Sequence, residues 1–500
     1  MIRPGGLLFL VSAAMSFART PCEQLKALAT PNVTITVAET FLAFPPGTQP
    51  PALMTLPEGC RVLAILAPSS DSSIEMELWL PTKNWNGKFQ AVGNGGWAGG
   101  ISFTAMASAL KEGYATASTN TGHSGGGQDA SFALGHPEKL VDFGSRAVHQ
   151  MVVTSKTIMS AFYGRGPKYS YWNGCSTGGR QGLMEAQRYP EDFDGIVAGA
   201  PANYWTHLMA GLIWAAQATH KDQPGNIPAE KLSHLHDAVL RACDALDGLK
   251  DGVLEDPRRC KFDPKIMECT SADGPTCLTA PQVEGARRMY SGAINPRTNE
   301  QIYPGVAPGS ELGWDPINGL PPLAIAESHF RYVVFKSPTW DYRKLNFDGD
   351  VALADKTDDG VINATNPNLQ PFFARGGKLI QYHGWNDQEI APMNSVNYYL
   401  SVQERLGPAS KVDDSYPLFM LPGMRHCGGG EGLNQFDPMG ALERWRESNV
   451  PPNQLTAMHV TRGVVDAVRP VCSYPRVAVY KGSGSTNNAA SFSCQVPSLN

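Results

Sequence analysis

Five hundred residues, 42% hydrophobic and 17% charged, are enough to bury a sizeable core, and the length allows either several domains or one catalytic domain with a large insertion. The formal charge of −5, with no basic block, argues against a nucleic-acid partner, and no stretch reads as a membrane span. Fifty-one glycines and 39 prolines point to many loops rather than helical repeats.

The N-terminus reads as an export signal over residues 1–18: Arg3 is a positive start, Leu7–Met15 an apolar core and Ser16-Phe17-Ala18 a small-x-small cleavage site. All ten cysteines follow it, which fits an oxidising compartment. Asn32 and Asn363 each head a glycosylation triplet for a eukaryotic host. Three early strands are expected at Val33–Phe44, Arg61–Ala67 and Ile74–Leu80, with Cys22 and Cys60 flanking the first and able to join. A fourth strand, Phe89–Val92, runs into Gly93-Asn94-Gly95-Gly96-Trp97-Ala98-Gly99-Gly100. That loop is either an ordinary glycine turn or one half of an oxyanion hole, where glycines let the backbone approach a substrate closely.

Tyr114–Ser118 reads as a strand, Asn120–Gln128 as a polar loop and Pro137–Phe162 as a helix. Next comes Gly174-Cys175-Ser176-Thr177-Gly178-Gly179-Arg180, between the β-prone Tyr169–Trp172 and the helical Gln181–Arg188. A G-x-S-x-G between strand and helix is the setting of a nucleophile elbow, although a serine there can also serve only as a helix cap. With the strand Gly195–Ala200 the pattern becomes α/β with a largely parallel sheet.

From 202 to 364 strands become rare and tryptophans frequent, so this segment is expected to be a lid inserted into a catalytic domain made of 19–201 and 365–500. Within it, Asp244, Asp247 and Asp251 lie close together with glycines between them. They could fold around a hard cation, calcium being the natural candidate, with carbonyls of Leu249 and Val253 added; a solvated acidic loop is the alternative.

The α/β pattern returns at Lys378–His383 and Tyr416–Leu421, and Gln454–Val460 with Arg476–Tyr480 is expected to close the sheet. Asp387 follows the first of these strands, in His383-Gly384-Trp385-Asn386-Asp387, and His426 follows the second, in Pro422-Gly423-Met424-Arg425-His426-Cys427. Serine, acid and histidine in that chain order are the triad of an α/β-hydrolase. Glu389 is the competing acid. Cys175 precedes the serine and Cys427 follows the histidine; a bridge between them would bring Ser176 and His426 together, since bonded cysteines hold their Cα atoms within about 7 Å. A free nucleophilic thiol at Cys175 is the other reading.

The elbow, the Gly-Trp-Asn-Asp387 and the Gly-Met-Arg-His426-Cys together resemble the tannase and feruloyl esterase family. Thr121-Gly122-His123, Gly135-His136-Pro137-Glu138-Lys139 and Asp142-Phe143-Gly144 carry the likeness along nearly the whole chain. The resemblance implies an α/β-hydrolase core, a lid with a structural calcium site and a disulfide joining the catalytic loops. It implies Ser176, Asp387 and His426 as the triad, and Asp244, Asp247, Asp251, Leu249 and Val253 as calcium ligands. The implied pairs are Cys22 with Cys60, Cys175 with Cys427, Cys243 with Cys260, Cys269 with Cys277 and Cys472 with Cys494.

The amide of Thr177, with one from Gly95 or Gly96, would hold the oxyanion. Arg425 departs from the small residue expected before the histidine, while Thr177 resembles the feruloyl esterase and tannase side of the family. The implied activity is secreted hydrolysis of feruloyl or p-coumaroyl esters of plant cell wall, with gallate esters as the near alternative. Tyr204, Trp205, Trp214 and Trp340 are candidates to clamp an aromatic ring. A calcium-dependent binding protein without catalysis would explain the acidic loop but not the paired Cys-Ser and His-Cys.

Overall fold

The computed structural model describes residues 19–41, 56–220, 225–318, 322–407, 412 and 414–497; the expected export signal lies outside them. A nine-stranded sheet is built from β1 (Val33–Phe41), β2 (Gly59–Leu66), β3 (Ile74–Pro81), β4 (Lys88–Val92), β5 (Ala115–Thr119), β6 (Tyr169–Cys175) and β7 (Gly195–Gly199), joined later by β10 (Lys378–Gly384) and β11 (Leu418–Leu421). Its order is β1-β2-β3-β5-β4-β6-β7-β10-β11. The first four in that order run antiparallel, and from β5 onward all neighbours are parallel. The parallel strands are buried on both faces, as βαβ connections require. Every residue of β5 and β7 is buried.

One face packs Val148, Met151, Trp172, Leu183, Leu379 and Tyr399; the other packs Tyr171, Ile380, Leu442, Trp445 and Leu455. The sheet is therefore the middle layer of three, and β4, β6, β10 and β11 all deliver their C-terminal loops to one edge. Ligands of open α/β sheets bind at that edge.

Residues 200–377 contribute no strand to this sheet. They form helices with a core of their own, including Leu208, Met209, Ile213, Trp314 and Phe330, which is continuous with Trp97, Phe143 and Ile390 from the loops at the sheet's edge. Two short strands, β8 (Ala293–Ile294) and β9 (Gln301–Tyr303), pair only with each other.

The C-terminal expectation is corrected. Gln454–Val460 belongs to β13 (Gln454–Thr461), which pairs with β12 (Gln435–Phe436) and β14 (Val464–Cys472) in a separate three-stranded sheet. Arg476–Tyr480 contains β15 (Val477–Tyr480), which pairs only with β16 (Phe492–Gln495). The hairpin between β13 and β14 turns through Arg462 at φ 51° and Gly463 at φ 82°, the paired left-handed residues of a two-residue turn. Such a turn sends the chain straight back onto β13, and past the end of β14 the chain meets β11 at a single bridge, Ser473 with Phe419.

The expected helix over Pro137–Phe162 is also modified. Pro137–Val141 and Ala147–Tyr163 are α-helical, but Asp142–Arg146 is a π-turn. The turn releases carbonyls from the usual ladder. Arg180, fully buried on the helix Thr177–Arg188, donates Nη1 to Gly144 O at 2.9 Å and to Ile362 O at 3.1 Å, and Nη2 to Phe143 O at 3.1 Å. One guanidinium thus joins the elbow helix, the π-turn and the end of the inserted segment. Arg180→Met should orphan three buried carbonyls and lower unfolding stability by about 2–4 kcal/mol in urea titration.

Candidate active site

Ser176 sits between β6 and the helix Thr177–Arg188 at φ 63° and ψ −122°, a conformation that costs a non-glycine residue about 1–3 kcal/mol. The turn is tight enough to demand glycine on both sides. A Cβ on Gly174 would lie 2.6 Å from the carbonyl carbon of Gly178, and one on Gly178 would lie 3.1 Å from the Cα of Gly93. The backbone N–H of Ser176 donates to Gly199 O at 3.0 Å, locking the elbow to β7.

The glycine loop after β4 is fastened to the same elbow. Thr177 Oγ1 donates to Gly96 O at 2.8 Å, and Asn94 and Gln181 exchange hydrogen bonds at 3.0 Å in both directions. Gly95, Gly96, Ser176 and Thr177 line one cavity of about 210 Å³, with Trp205, Leu208 and Met209 from the inserted segment among its walls.

Asp387 and His426 come together on the loops after β10 and β11. His426 Nδ1 lies 2.7 Å from Asp387 Oδ2, and Asp387 is fully buried. Its other oxygen accepts the backbone N–H groups of Glu389 and Ile390, both at 2.9 Å. Burial opposes the charged carboxylate, but His426 and His383 hold its pKa well below the usual range. Glu389 stands instead on the opposite side of the ring, its Oε2 3.8 Å from His426 Nε2.

The Cys175–Cys427 bridge is present, with Cα atoms 5.9 Å apart across 252 residues, so no thiol is free beside Ser176. The other four pairs also form as the resemblance implied: Cys22–Cys60, Cys243–Cys260, Cys269–Cys277 and Cys472–Cys494.

Burial disfavours a charged imidazole at His426, but the charges of Asp387 and Glu389 outweigh it and raise the pKa. A general base must be neutral to accept a proton. Hydrolytic activity should therefore rise with pH through a limb lying above the ordinary histidine value of about 6.5. Asp387→Asn should move that limb down, which a pH profile of kcat/KM reads directly. Arg425 does not contribute: its guanidinium is paired with Glu431.

His383 carries no role in the sequence reading, yet it is fully buried beside Asp387. Its Nε2 lies 3.1 Å from Asp387 Oδ2 and 2.9 Å from Ile390 O, while Nδ1 meets Ser395 Oγ at 2.7 Å. The available signal was a histidine four residues before the acid, at the end of a strand. Among the expected aromatic clamps, Trp205 lines the Ser176 cavity and Trp214 an adjoining smaller one of about 30 Å³; Tyr204 and Trp340 line neither. Tyr204 stacks on His207, and Trp340 on Phe330 and Phe335.

In the acidic loop, Asp244 accepts the N–H of Gly252 and Asp247 those of Leu249 and Glu255, while Asp251 pairs with Arg469 at 2.6 Å. Burial, together with the neighbouring Asp251 and Asp244, raises the Asp247 pKa. The oxygens of Asp244, Asp247 and Asp251 do not all come within 4.8 Å of one another. Among the described residues, three ligand atoms fall within 4.8 Å of one another only at Cys269, Asp273 and Cys277, whose sulfurs are already joined in a disulfide. Asn32 is exposed, whereas the half-buried Asn363 donates its amide to Thr206 Oγ1 at 3.0 Å.

Residues 60–495 match the family model described as tannase and feruloyl esterase. The chain is similar to a probable feruloyl esterase B-1 of Aspergillus flavus, 35% identical over 87% of this chain and 86% of the relative. It is also similar to an uncharacterized esterase of Xanthomonas campestris pv. campestris, 37% identical over 98% of this chain and 93% of the other. The crystal structure of feruloyl esterase B from Aspergillus oryzae superposes with a TM-score of 0.89 at 32% identity, covering 95% of this chain and 99% of that one.

Proposed function

The chain belongs to the tannase and feruloyl esterase family and is a carboxylic ester hydrolase of α/β-hydrolase fold; from that premise we propose that it cleaves hydroxycinnamate esters through Ser176, His426 and Asp387. The observation that carries the reading is the 2.7 Å Asp387–His426 contact on a loop tied by disulfide to the residue before Ser176. An esterase family sets aside the non-catalytic binding protein.

Ser176 Oγ attacks the ester carbonyl as His426 Nε2 takes its proton, and Asp387 stabilises the imidazolium. The N–H of Thr177 and one from Gly95 or Gly96 hold the developing oxyanion. His426 returns the proton to the departing alcohol, leaving an acyl-enzyme; it then activates water, which releases the acid and restores Ser176. The apolar walls given by Trp205, Leu208 and Met209 suit an aromatic acyl group. The segment 202–364 acts as the lid over the core formed by 19–201 and 365–500. Five disulfides suit an exported enzyme, and Asn32 is the more accessible glycan site.

Initial rates on methyl ferulate, p-coumarate, caffeate and gallate test the substrate class. Turnover of the cinnamates supports the reading, and dominance of gallate makes the protein a tannase. We assign a structural calcium ion to Asp244, Asp247 and Asp251 with the carbonyls of Leu249 and Val253, where it would neutralise the loop's charge and brace the lid. Chelation should lower the melting temperature by several degrees while KM at ordinary temperature changes less than about twofold. A melting curve that ignores chelator and added calcium alike would remove the ion.

A further inference from the structure

Glu389 is the lone charged side chain among the lining residues of the Ser176 cavity and of the smaller one beside it. Its backbone is held by Asp387 Oδ1 at 2.9 Å, so the carboxylate that orients His426 also places Glu389. The Glu389 carboxylate has only long contacts there, 3.8 Å to His426 Nε2 and 3.5 Å from Gln388 Nε2, and its side chain is 42% exposed. No arginine or lysine of either cavity neutralises it. The titratable groups facing it are His426, with Asp387 behind the ring, and Tyr303 across the smaller cavity.

We propose that Glu389 is a charge filter: it favours esters with an uncharged acyl group and expels the carboxylate product. The inference rests on the site being an acyl-transfer esterase. In deacylation the carbonyl carbon's bond to Ser176 Oγ breaks as its bond to the water oxygen forms. One water proton passes through His426 to Ser176, and the released acid yields its remaining acidic proton to solvent. A neutral ester thus becomes an anion within a few ångströms of a fixed negative charge. Repulsion there lowers the affinity of product without weakening that of substrate. An acyl group that already bears a carboxylate meets the same repulsion on entry.

The test uses p-nitrophenyl butyrate as a substrate that reports turnover whatever the phenolic preference, with ferulate and its neutral primary amide as paired inhibitors. Glu389→Gln should tighten inhibition by ferulate about tenfold, equivalent to about 1.4 kcal/mol, and change inhibition by the amide less than about twofold. Glu389→Asp should keep most of the discrimination. In the wild-type protein, raising salt from about 0.01 M to about 1 M cuts the Debye length from about 30 Å to about 3 Å, so ferulate should bind more tightly while the amide does not. That arm needs no variant to fold. Equal changes for anion and amide, or none for either, overturn the filter. Failure to hydrolyse any ester sinks the parent reading instead, and calorimetric titration of the same inhibitor pair still decides the filter.

Discussion

Ser176→Ala is expected to lower kcat/KM by about ten-thousand-fold or more while leaving the fold intact, as for removal of a nucleophile whose partners act as a unit. Alanine keeps the strained φ of 63° and removes only the hydroxyl. Ser176→Gly should be equally inactive but more stable than the alanine variant by about 1 kcal/mol, because glycine adopts that backbone without strain. Activity and melting temperature therefore move in opposite directions between serine and glycine, which a structural serine would not produce. Asp387→Asn should cost on the order of ten-thousand-fold by leaving the histidine in the wrong tautomer, and Glu389→Gln far less. The reverse ranking would make Glu389 the acid. A Ser176→Ala protein with wild-type rates would remove the elbow from the chemistry altogether.

Replacing both Cys175 and Cys427 by alanine should have the second largest effect. Chain-entropy arguments set a ceiling of about 5 kcal/mol for a closed loop of this length, and measured values usually fall below it. The catalytic loss should be larger than stability alone suggests. The histidine loop has little backbone preference of its own: Cys427 has φ 58°, and Gly428, Gly429 and Gly430 all lie at positive φ. Its remaining ties include the Met424–Gly430 bridge, the Asn386 N–H donated to Met424 O at 2.9 Å, the Arg425–Glu431 pair and the Asp387 contact. Freed from the elbow, His426 should lose its alignment with Ser176, and kcat/KM should fall about a hundredfold at temperatures where circular dichroism still reports a folded protein. If the double variant keeps wild-type kcat/KM, the bridge is a stability device only.

The elbow was legible in the sequence because its constraints are local. Glycine at 174 and 178 is required wherever a serine turns this sharply between strand and helix, so the pattern carries its own geometry. The parallel sheet was legible from the alternation of short strands and helices along the chain, since parallel neighbours need a crossover between them. The Cys175–Cys427 pair was legible because each cysteine adjoins a motif recognisable by itself.

Other features depend on which distant elements meet. The π-turn at Asp142–Arg146 exists where Arg180 needs carbonyls from an element it does not adjoin in sequence. β14, interrupted by Asp466, Arg469 and Pro470, reads poorly as a strand and forms because the left-handed turn at Arg462–Gly463 lays it on β13. His383 became part of the site only when β10 placed it beside the Asp387 carboxylate.

The amino-acid sequence alone determined the fold class, the candidate nucleophile, acid and base, and their order, since each rests on residue type and short-range spacing. Tertiary structure alone decided which carboxylate meets His426 Nδ1 and which faces Nε2, because Asp387 and Glu389 are two residues apart and their loop turns one into the interior and the other toward the cavity. It also decided that the wall of the cavity carries a single charge, which follows from residues up to 295 positions apart closing around one space.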